Sequence, residues 1–300
     1  MFKKSTWLHL RIPFSYFLLP IYLWAISLSP NLNESGLGLL FLILHFFIYP
    51  GSNAYNSYFD KDEGSIGGLK NPPKVDKNVF YIAQLFEAIG IFAALFLFDG
   101  YTFGIMVLAY VFVSRAYSHP SIRLKKKPII SWLIAGFFQG AWVVWIVYIG
   151  LNGYDLFSIL KPKIFLGGLL ASGILWGSYP MTQIYQHEED QKRGDITLSF
   201  LLGIKNTFLF TGVFFASASL GFVLYLSMYF NLRFGFIFLA FMAPVVTYFG
   251  WWFLKTIRNQ EMANYTNTMR LNIISATCLG GFYLYLFLNS TQVLNVVGVY

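Results

Sequence analysis

The sequence has a single cysteine and few charged residues. Only 11% of its 300 residues are charged and 57% are hydrophobic, whereas soluble domains are about 25% charged. The lone Cys278 excludes an intramolecular disulfide and a cysteine metal cluster. Apolar runs near the ~20 residues that cross a bilayer recur along the chain and exclude a pair of soluble domains. We therefore predict one all-α integral membrane domain over residues 1–300.

The apolar runs predict a polytopic bundle of about nine transmembrane helices. Their predicted bounds are 12–29, 37–57, 78–97, 101–116, 129–150, 164–185, 204–227, 235–254 and 271–289. Residues 1–29 combine basic and apolar residues as a signal peptide does, but no small-x-small cleavage site lies near Ser29. We therefore interpret them as an uncleaved first span.

The placement of the positive charges predicts the topology. All of the 21 lysines and arginines except Lys161, Lys163 and Arg233 fall at the N-terminus or in every second loop. This asymmetry is typical of the positive-inside rule, so we expect a cytoplasmic N-terminus and an outside C-terminus, in a bacterial cell membrane. The net charge of +8 is thereby explained without nucleic acid as a partner.

The few acidic residues are concentrated in two polar stretches, which follow spans two and six. Seven of the thirteen fall there: Asp60, Asp62, Glu63, Glu188, Glu189, Asp190 and Asp195. In the first stretch, helical periodicity places Asn53, Asn56 and Asp60 on one stripe. In the second, Gln186 and Asp190 are four residues apart. Because both stretches follow even-numbered spans, we expect both on the cytoplasmic face.

Carboxylates and amides at two helix ends indicate a site for a hard divalent cation such as Mg²⁺. The predicted metal ligands are Asn56, Asp60, Gln186, Glu189 and Asp190. A basic loop on the same face, containing Arg123 and Lys125, would neutralise a diphosphate bridged by such ions. The apolar, aromatic-rich bundle would accommodate a hydrocarbon chain, and aromatic faces would stabilise an allylic cation by ~1–2 kcal/mol each.

Three segments resemble motifs of the UbiA-type intramembrane prenyltransferases. They are Asn56-Ser-Tyr-Phe-Asp60, Tyr117-Ser-His-Pro-Ser-Ile-Arg-Leu-Lys125 and Gln186-His-Glu-Glu-Asp190-Gln-Lys-Arg-Gly-Asp-Ile-Thr-Leu198. The resemblance implies a bundle of about nine helices that uses Mg²⁺ to transfer an isoprenoid chain from a prenyl diphosphate to an aromatic or quinone-precursor acceptor. Three carboxylates of the family pattern are replaced, by Ser57, Gly64 and Gln186.

Roles can be assigned to the motif residues on this basis. We expect Asp60, Asp190 and Asp195 to be catalytic, with Asp195 as the candidate base that deprotonates an acceptor. The candidate ligands of the diphosphate are Asn53, Asn56, Arg123, Lys125, Lys192 and Arg193. Asp62, Glu63, Glu188 and Glu189 are near enough in sequence to replace the missing carboxylates.

Other interpretations of the same residues remain open at this stage. Acids at helix ends also occur as solvated caps, and an inactive relative would keep much of the pattern. A terpene cyclase of the UbiA type would ionise the same diphosphate without an acceptor. A transporter is disfavoured, because both polar motifs lie at one face rather than in inverted repeats at the midplane. Glu87, near the centre of span three, is either functional or a protonated glutamate in a helix contact.

Overall fold

The secondary structure of the described chain is helical. The computed structural model describes residues 3–30, 33–98 and 100–291, with the backbone alone for Glu34 and Arg193, and this part contains no β-strand. The α-helices of the described chain are α1 (Lys4–Leu8), α2 (Leu19–Ser27), α3 (Glu34–Leu42), α4 (Tyr49–Asp60), α5 (Lys77–Phe96), α6 (Thr102–Ser118), α7 (Pro128–Gln139), α8 (Ala141–Asn152), α9 (Pro162–Ser178), α10 (His187–Arg193), α11 (Leu198–Tyr229), α12 (Leu232–Arg258) and α13 (Tyr265–Ser290).

Eight helical stretches of the described chain are long and apolar enough to cross a membrane. They are Lys4–Ser27, Ser35–Asp60, Lys77–Phe96, Pro128–Asn152, Pro162–Thr182, Leu198–Tyr229, Leu232–Arg258 and Tyr265–Ser290. The remaining predicted span coincides with α6, which is a shorter apolar helix of 17 residues. The prediction of an all-α polytopic membrane protein is therefore confirmed.

Proline and glycine explain why several spans are broken into two helices. Pro50 has no N–H to donate, and the wide π-helical turn Ile43–Ile48 precedes it. Gly140 separates α7 from α8, and a Cβ there would lie 2.6 Å from the backbone of Ser172 on α9. Pro180 follows α9 in the 3-10 turn Tyr179–Thr182, after which the chain leaves the span.

Short polar side chains begin several of the helices. Asn33 caps α3, Asp76 caps α5, Thr197 caps α11 and Asn264 caps α13, each accepting a hydrogen bond from a backbone N–H of the first turn. These caps satisfy N–H groups that have no partner within the helix. They mark the points where the chain re-enters the bundle.

The helices of the described chain surround a large cavity. Six helices form a ring in which each packs against the next, in the order α2, α8, α9, α11, α12 and α13, and α13 packs against α2. Helices α4, α5 and α6 form a second group that packs against one another and, through α6, against α8. The enclosed cavity has a volume of about 1180 Å³.

Glu87 is buried in an ion pair between neighbouring helices. Its Oε2 accepts hydrogen bonds from Nε and NH2 of Arg115 at 2.8 and 2.5 Å, and its side chain is fully buried. The same guanidinium donates to Gln84 Oε1 at 2.6 Å. Gly51 of α4 packs directly on this pair, since a Cβ there would lie 2.7 Å from Glu87 Cγ. The pair therefore joins α5 to α6, and the absence of a side chain at Gly51 allows α4 to approach it closely.

Candidate active site

The cavity has aromatic walls and a group of polar residues that we call its polar end. The aromatic lining consists of Phe14, Phe17, Tyr49, Tyr110, Tyr117, Phe138, Tyr179, Tyr185, Phe215 and Phe249. The polar end consists of Arg11, Asn53, Asn56, Asp60, Asp62, Lys125, Gln186, Asp190, Asp195 and Thr197. Such a cavity can receive a molecule that is anionic at one end and hydrocarbon at the other.

The end of α4 supplies the first carboxylate of the polar end. As its helical spacing predicts, Asn53, Asn56 and Asp60 all line the cavity. Asn56 Nδ2 donates to Asp60 Oδ2 at 2.7 Å and to Ser118 Oγ at 2.8 Å. Lys125 Nζ donates to Asp60 Oδ1 at 2.5 Å. Asp60 is therefore a buried anion already facing a cation of the basic loop.

Asp195 joins this cluster from the other motif. Its Oδ2 accepts from Arg123 NH2 at 3.2 Å and lies 3.4 Å from Lys125 Nζ. Arg123 adopts a left-handed backbone conformation, with φ of 43°, just before the 3-10 turn Leu124–Lys126. This conformation is uncommon for a residue other than glycine. The basic loop thus presents two cations to one buried carboxylate.

Asp190 lies on α10 rather than on an extension of the preceding span. Its Oδ2 accepts from Thr197 Oγ1 at 3.3 Å, and its side chain is buried. Gly194, with φ of 67°, ends α10, and the N–H of Asp195 then donates to the carbonyl of Asp190 at 2.9 Å. The left-handed turn at Gly194 is therefore what returns Asp195 to the cavity beside Asp190.

Gln186 and Glu189 contact the chain that follows α4. Gln186 lines the cavity, and its Nε2 donates to the carbonyl of Ser65 at 3.2 Å. Glu189 Oε1 accepts from the N–H groups of Glu63 and Gly64 at 3.1 and 3.3 Å. The described cavity lining does not include Glu189. In this conformation its carboxylate binds backbone.

The other predicted site residues are placed as follows. Lys192, on α10, is exposed. The side chain of Arg193 lies outside the described residues. Arg123 reaches the polar end through Asp195.

Sequence reasoning missed Arg11, which it assigned to topology alone. The guanidinium is largely buried, lines the cavity, and donates to the carbonyls of Gly67 and Asn53 at 3.1 Å each. It also lies over the ring of Phe14, 5.4 Å from its centroid. The available signal was its position, because Arg11 stands at the edge of the apolar run rather than in the preceding basic stretch.

Two further side chains near the polar end are neutral at physiological pH. Burial raises the pKa of Tyr185, so its hydroxyl keeps its proton. Burial lowers the pKa of His187, whose Nε2 lies 2.8 Å from Ser199 Oγ. The hydroxyls of Tyr117 and Tyr179, which also line the cavity, are hydrogen bonded to each other.

The cavity lining offers hard oxygen donors to a cation. They are Asn56, Asp60, Asp62, Gln186, Asp190 and Asp195, and the described lining includes no histidine or cysteine. Within the described chain, no three Asp, Glu, His or Cys side chains form a preformed metal cage. Mg²⁺ does not require one, because it binds one or two carboxylates and completes its shell with water and substrate phosphates. The donor set therefore fits Mg²⁺.

Comparison with known families agrees with this arrangement. The sequence matches the profile of the UbiA prenyltransferase family over residues 18–290. The chain belongs to this family. It is therefore an intramembrane protein of the prenyltransferase type. A search among curated proteins found no match to this sequence.

Solved UbiA structures share the fold. A UbiA homologue from Aeropyrum pernix K1, in its apo form, is 18% identical over 91% of this chain and 98% of its own, with a TM-score of 0.70. A UbiA homologue from Archaeoglobus fulgidus bound to GPP and Mg²⁺ is 15% identical over 94% and 99%, with a TM-score of 0.63. A digeranylgeranylglyceryl phosphate synthase is 17% identical over 95% and 98%, with a TM-score of 0.61.

The departures from the UbiA motifs fall at structurally different places. Ser57 is buried, and the described cavity lining does not include it. Gly64 lies beside Glu189, whose Oε2 would be 2.6 Å from a Cβ at that position. Gln186 keeps its place in the lining. Of the three replaced positions, Gln186 is therefore the one that the described cavity lining includes.

Proposed function

We propose that this UbiA protein, a single domain over residues 1–300, is a Mg²⁺-dependent intramembrane prenyltransferase. It ionises a prenyl diphosphate and transfers the isoprenoid chain to an aromatic or quinone-precursor acceptor. The observation that carries the proposal is that Asp60 and Asp190, from separate motifs, line one cavity together with Lys125 and aromatic walls. The negative charge of a diphosphate would be neutralised by cations at the polar end, and the attached hydrocarbon chain would pack against the aromatic walls.

The residues that would hold Mg²⁺ are Asp60 and Asp190, with oxygens of Asn56 and Gln186 beside them. When bound, the cation supplies positive charge that neutralises the diphosphate oxygens. The related UbiA homologue from Archaeoglobus fulgidus, bound to GPP and Mg²⁺, supports the use of this cation. Because Lys125 already contacts Asp60, its ammonium group is placed to pass from the carboxylate to a phosphate oxygen.

The reaction breaks the bond between C1 of the prenyl chain and the diphosphate oxygen. The electron pair leaves with the diphosphate, where Lys125 and Arg123 donate hydrogen bonds to the growing negative charge. Aromatic rings of the wall, including Tyr117 and Tyr179, stabilise the allylic cation by ~1–2 kcal/mol each. A ring carbon of the acceptor then forms the new bond to C1 and loses its proton, for which Asp195 is the candidate base.

The charge distribution supports a location for the polar end. With lysine and arginine in the N-terminal segment and every second loop, the polar end faces the cytoplasm, the N-terminus is cytoplasmic and the C-terminus is outside. The membrane is a bacterial cell membrane. The prenyl chain would lie within the hydrocarbon region, where the aromatic walls replace lipid.

The experiment is incubation of the purified protein with labelled geranyl, farnesyl and geranylgeranyl diphosphates. Each is tested with and without Mg²⁺ and with and without aromatic acceptors, and products are identified by mass. The proposal expects a prenylated acceptor that forms only when Mg²⁺ is present. A cyclised hydrocarbon formed without acceptor would instead support the terpene cyclase. Absence of diphosphate consumption under every condition would contradict both.

A further inference from the structure

Helix α10 and its N-cap residue Gln186 contact the segment 61–76, which connects α4 to α5 and supplies Asp62, Ile66 and Gly67 to the cavity lining. Glu189 Oε1 accepts from the N–H groups of Glu63 and Gly64, and Gln186 Nε2 donates to the carbonyl of Ser65. All three bonds reach backbone atoms of consecutive residues. They therefore fix the path of the chain through backbone atoms and not through the side chains of Glu63 and Ser65.

The absence of a side chain at Gly64 is what makes this contact possible. A Cβ at that position would lie 2.6 Å from Glu189 Oε2 and 3.4 Å from its Cδ. Real Cβ atoms do not approach an oxygen so closely, so a side chain at residue 64 would displace Glu189. The Glu189 carboxylate thus occupies the volume in which a side chain of residue 64 would begin.

The consequence of this path is the position of Asp62. Asp62 precedes the two bonded N–H groups directly and lines the cavity. The neighbouring acids Glu63 and Glu188 are exposed. Of the four acids that could replace the missing motif carboxylates, Asp62 is the one that the described cavity lining includes, and Glu189 is the one that holds its segment.

We propose that Asp62 is a working carboxylate of the polar end and that Glu189, supported by Gln186, is its positioning residue. The proposal rests on the proposed function, because the group that Asp62 serves is the cation and diphosphate site. Glu189 acts by accepting hydrogen bonds from the backbone at residues 63 and 64. Its negative charge is not required as a ligand, and a neutral acceptor of the same length serves equally.

The first test measures the contact itself and needs no activity. Hydrogen–deuterium exchange is followed at the amides of Glu63 and Gly64 in the full-length protein. Glu189→Ala removes the acceptor, so exchange there should accelerate about tenfold or more. Glu189→Gln keeps an acceptor oxygen and should preserve the protection. Glu188→Gln, an exposed charge removal on the same helix, is the matched control and should match the wild type.

The second test measures cation binding with Mn²⁺ as the probe. Electron paramagnetic resonance reports the affinity of Mn²⁺ in the presence of inorganic pyrophosphate. Asp62→Asn should weaken binding about tenfold or more, whereas Glu63→Gln, the same charge removal one residue away, should not. Glu189→Ala should weaken binding about tenfold, the usual effect of losing a residue that orients a ligand. Glu189→Gln should bind as the wild type does.

Three outcomes would overturn the inference without overturning the proposed function. Binding by Asp62→Asn equal to that of Glu63→Gln would remove Asp62 from the site. Loss of binding in Glu189→Gln with protected amides at residues 63 and 64 would make Glu189 a direct ligand. Absence of Mn²⁺ binding by the wild-type protein would overturn the proposed function and the role of Asp62 together. Unchanged amide exchange in Glu189→Ala would overturn the positioning role whatever the cation result.

Discussion

The ammonium nitrogen of Lys125 lies 2.5 Å from Oδ1 of Asp60, and both side chains are largely buried. The two residues are 65 positions apart, one in the basic loop and the other at the end of α4. A buried carboxylate without a cation is costly, so Lys125 stabilises Asp60 when no ligand is bound. A diphosphate and its cation would offer both groups new partners of opposite charge. The pair is therefore placed where substrate binding exchanges one set of ionic contacts for another.

Replacing Lys125 tests this exchange. We expect Lys125→Met to lower kcat/KM for the prenyl diphosphate about 10²-fold, because a donor to the departing diphosphate is lost. The measurement is steady-state kinetics at saturating Mg²⁺. Lys126→Met removes an exposed charge from the same loop and should change kcat/KM less than about twofold. Equal kinetics in the two variants would show that Lys125 does not contact the substrate.

Restoring the motif acid at residue 57 should destabilise the protein rather than improve the site. Ser57 is 2% exposed, and the described cavity lining does not include it. Ser57→Asp would therefore bury a carboxylate outside the described cavity lining, at a cost of about 3 kcal/mol or more. Thermal unfolding in detergent measures the effect, with Ser57→Ala as the control. A variant of unchanged stability that binds Mn²⁺ more tightly would contradict the placement of Ser57.

Breaking the ion pair between α5 and α6 should affect stability more than chemistry. Glu87→Ala leaves Arg115 without two of its hydrogen bonds, and we expect a loss of about 2–3 kcal/mol, reduced from a fully buried pair because Arg115 is 35% exposed. The double variant Glu87→Ala, Arg115→Met should lose less than the sum of the single changes. Additive losses in unfolding experiments would mean that the two side chains do not interact.

His187 predicts a pH dependence of stability. Its pKa in the folded protein is below the ordinary value of 6.5, because burial disfavours the charged ring. The unfolded chain therefore binds the proton more readily. The contribution of His187 to the free energy of unfolding is fully present above about pH 6.5 and is lost as the pH falls below that value. His187→Gln should reduce the loss of Tm between pH 7 and pH 5, and an identical loss in the variant would contradict this account.

Composition and motifs were sufficient to predict much of the protein. The all-α membrane bundle and the UbiA family are confirmed, and the stripe of Asn53, Asn56 and Asp60 lines the cavity. Apolar periodicity and helical spacing are local properties, so they can be read from one stretch of chain. The predicted span 164–185 ends earlier in the structure, because Pro180 lies in a 3-10 turn after α9, and Asp190 lies on the separate helix α10.

Contacts between distant segments could not be predicted in this way. The partners of Glu189 are backbone N–H groups more than a hundred residues away, and nothing in its own sequence neighbourhood distinguishes it from Glu188. Arg11 was missed for a similar reason, because its role depends on the carbonyls of Gly67 and Asn53. The two acidic stretches contain Asp60, Asp62, Asp190 and Asp195, which line the cavity, but which acids of a stretch line it depends on how the segments pack.

The most direct test of the account removes one carboxylate from each motif. Asp60→Ala and Asp190→Ala are assayed for Mg²⁺-dependent consumption of geranyl, farnesyl and geranylgeranyl diphosphates, with helicity and thermal unfolding measured on the same samples. We expect both variants to be folded and neither to consume any of the three diphosphates. Full turnover in either folded variant would contradict a site built by these two motifs around one diphosphate.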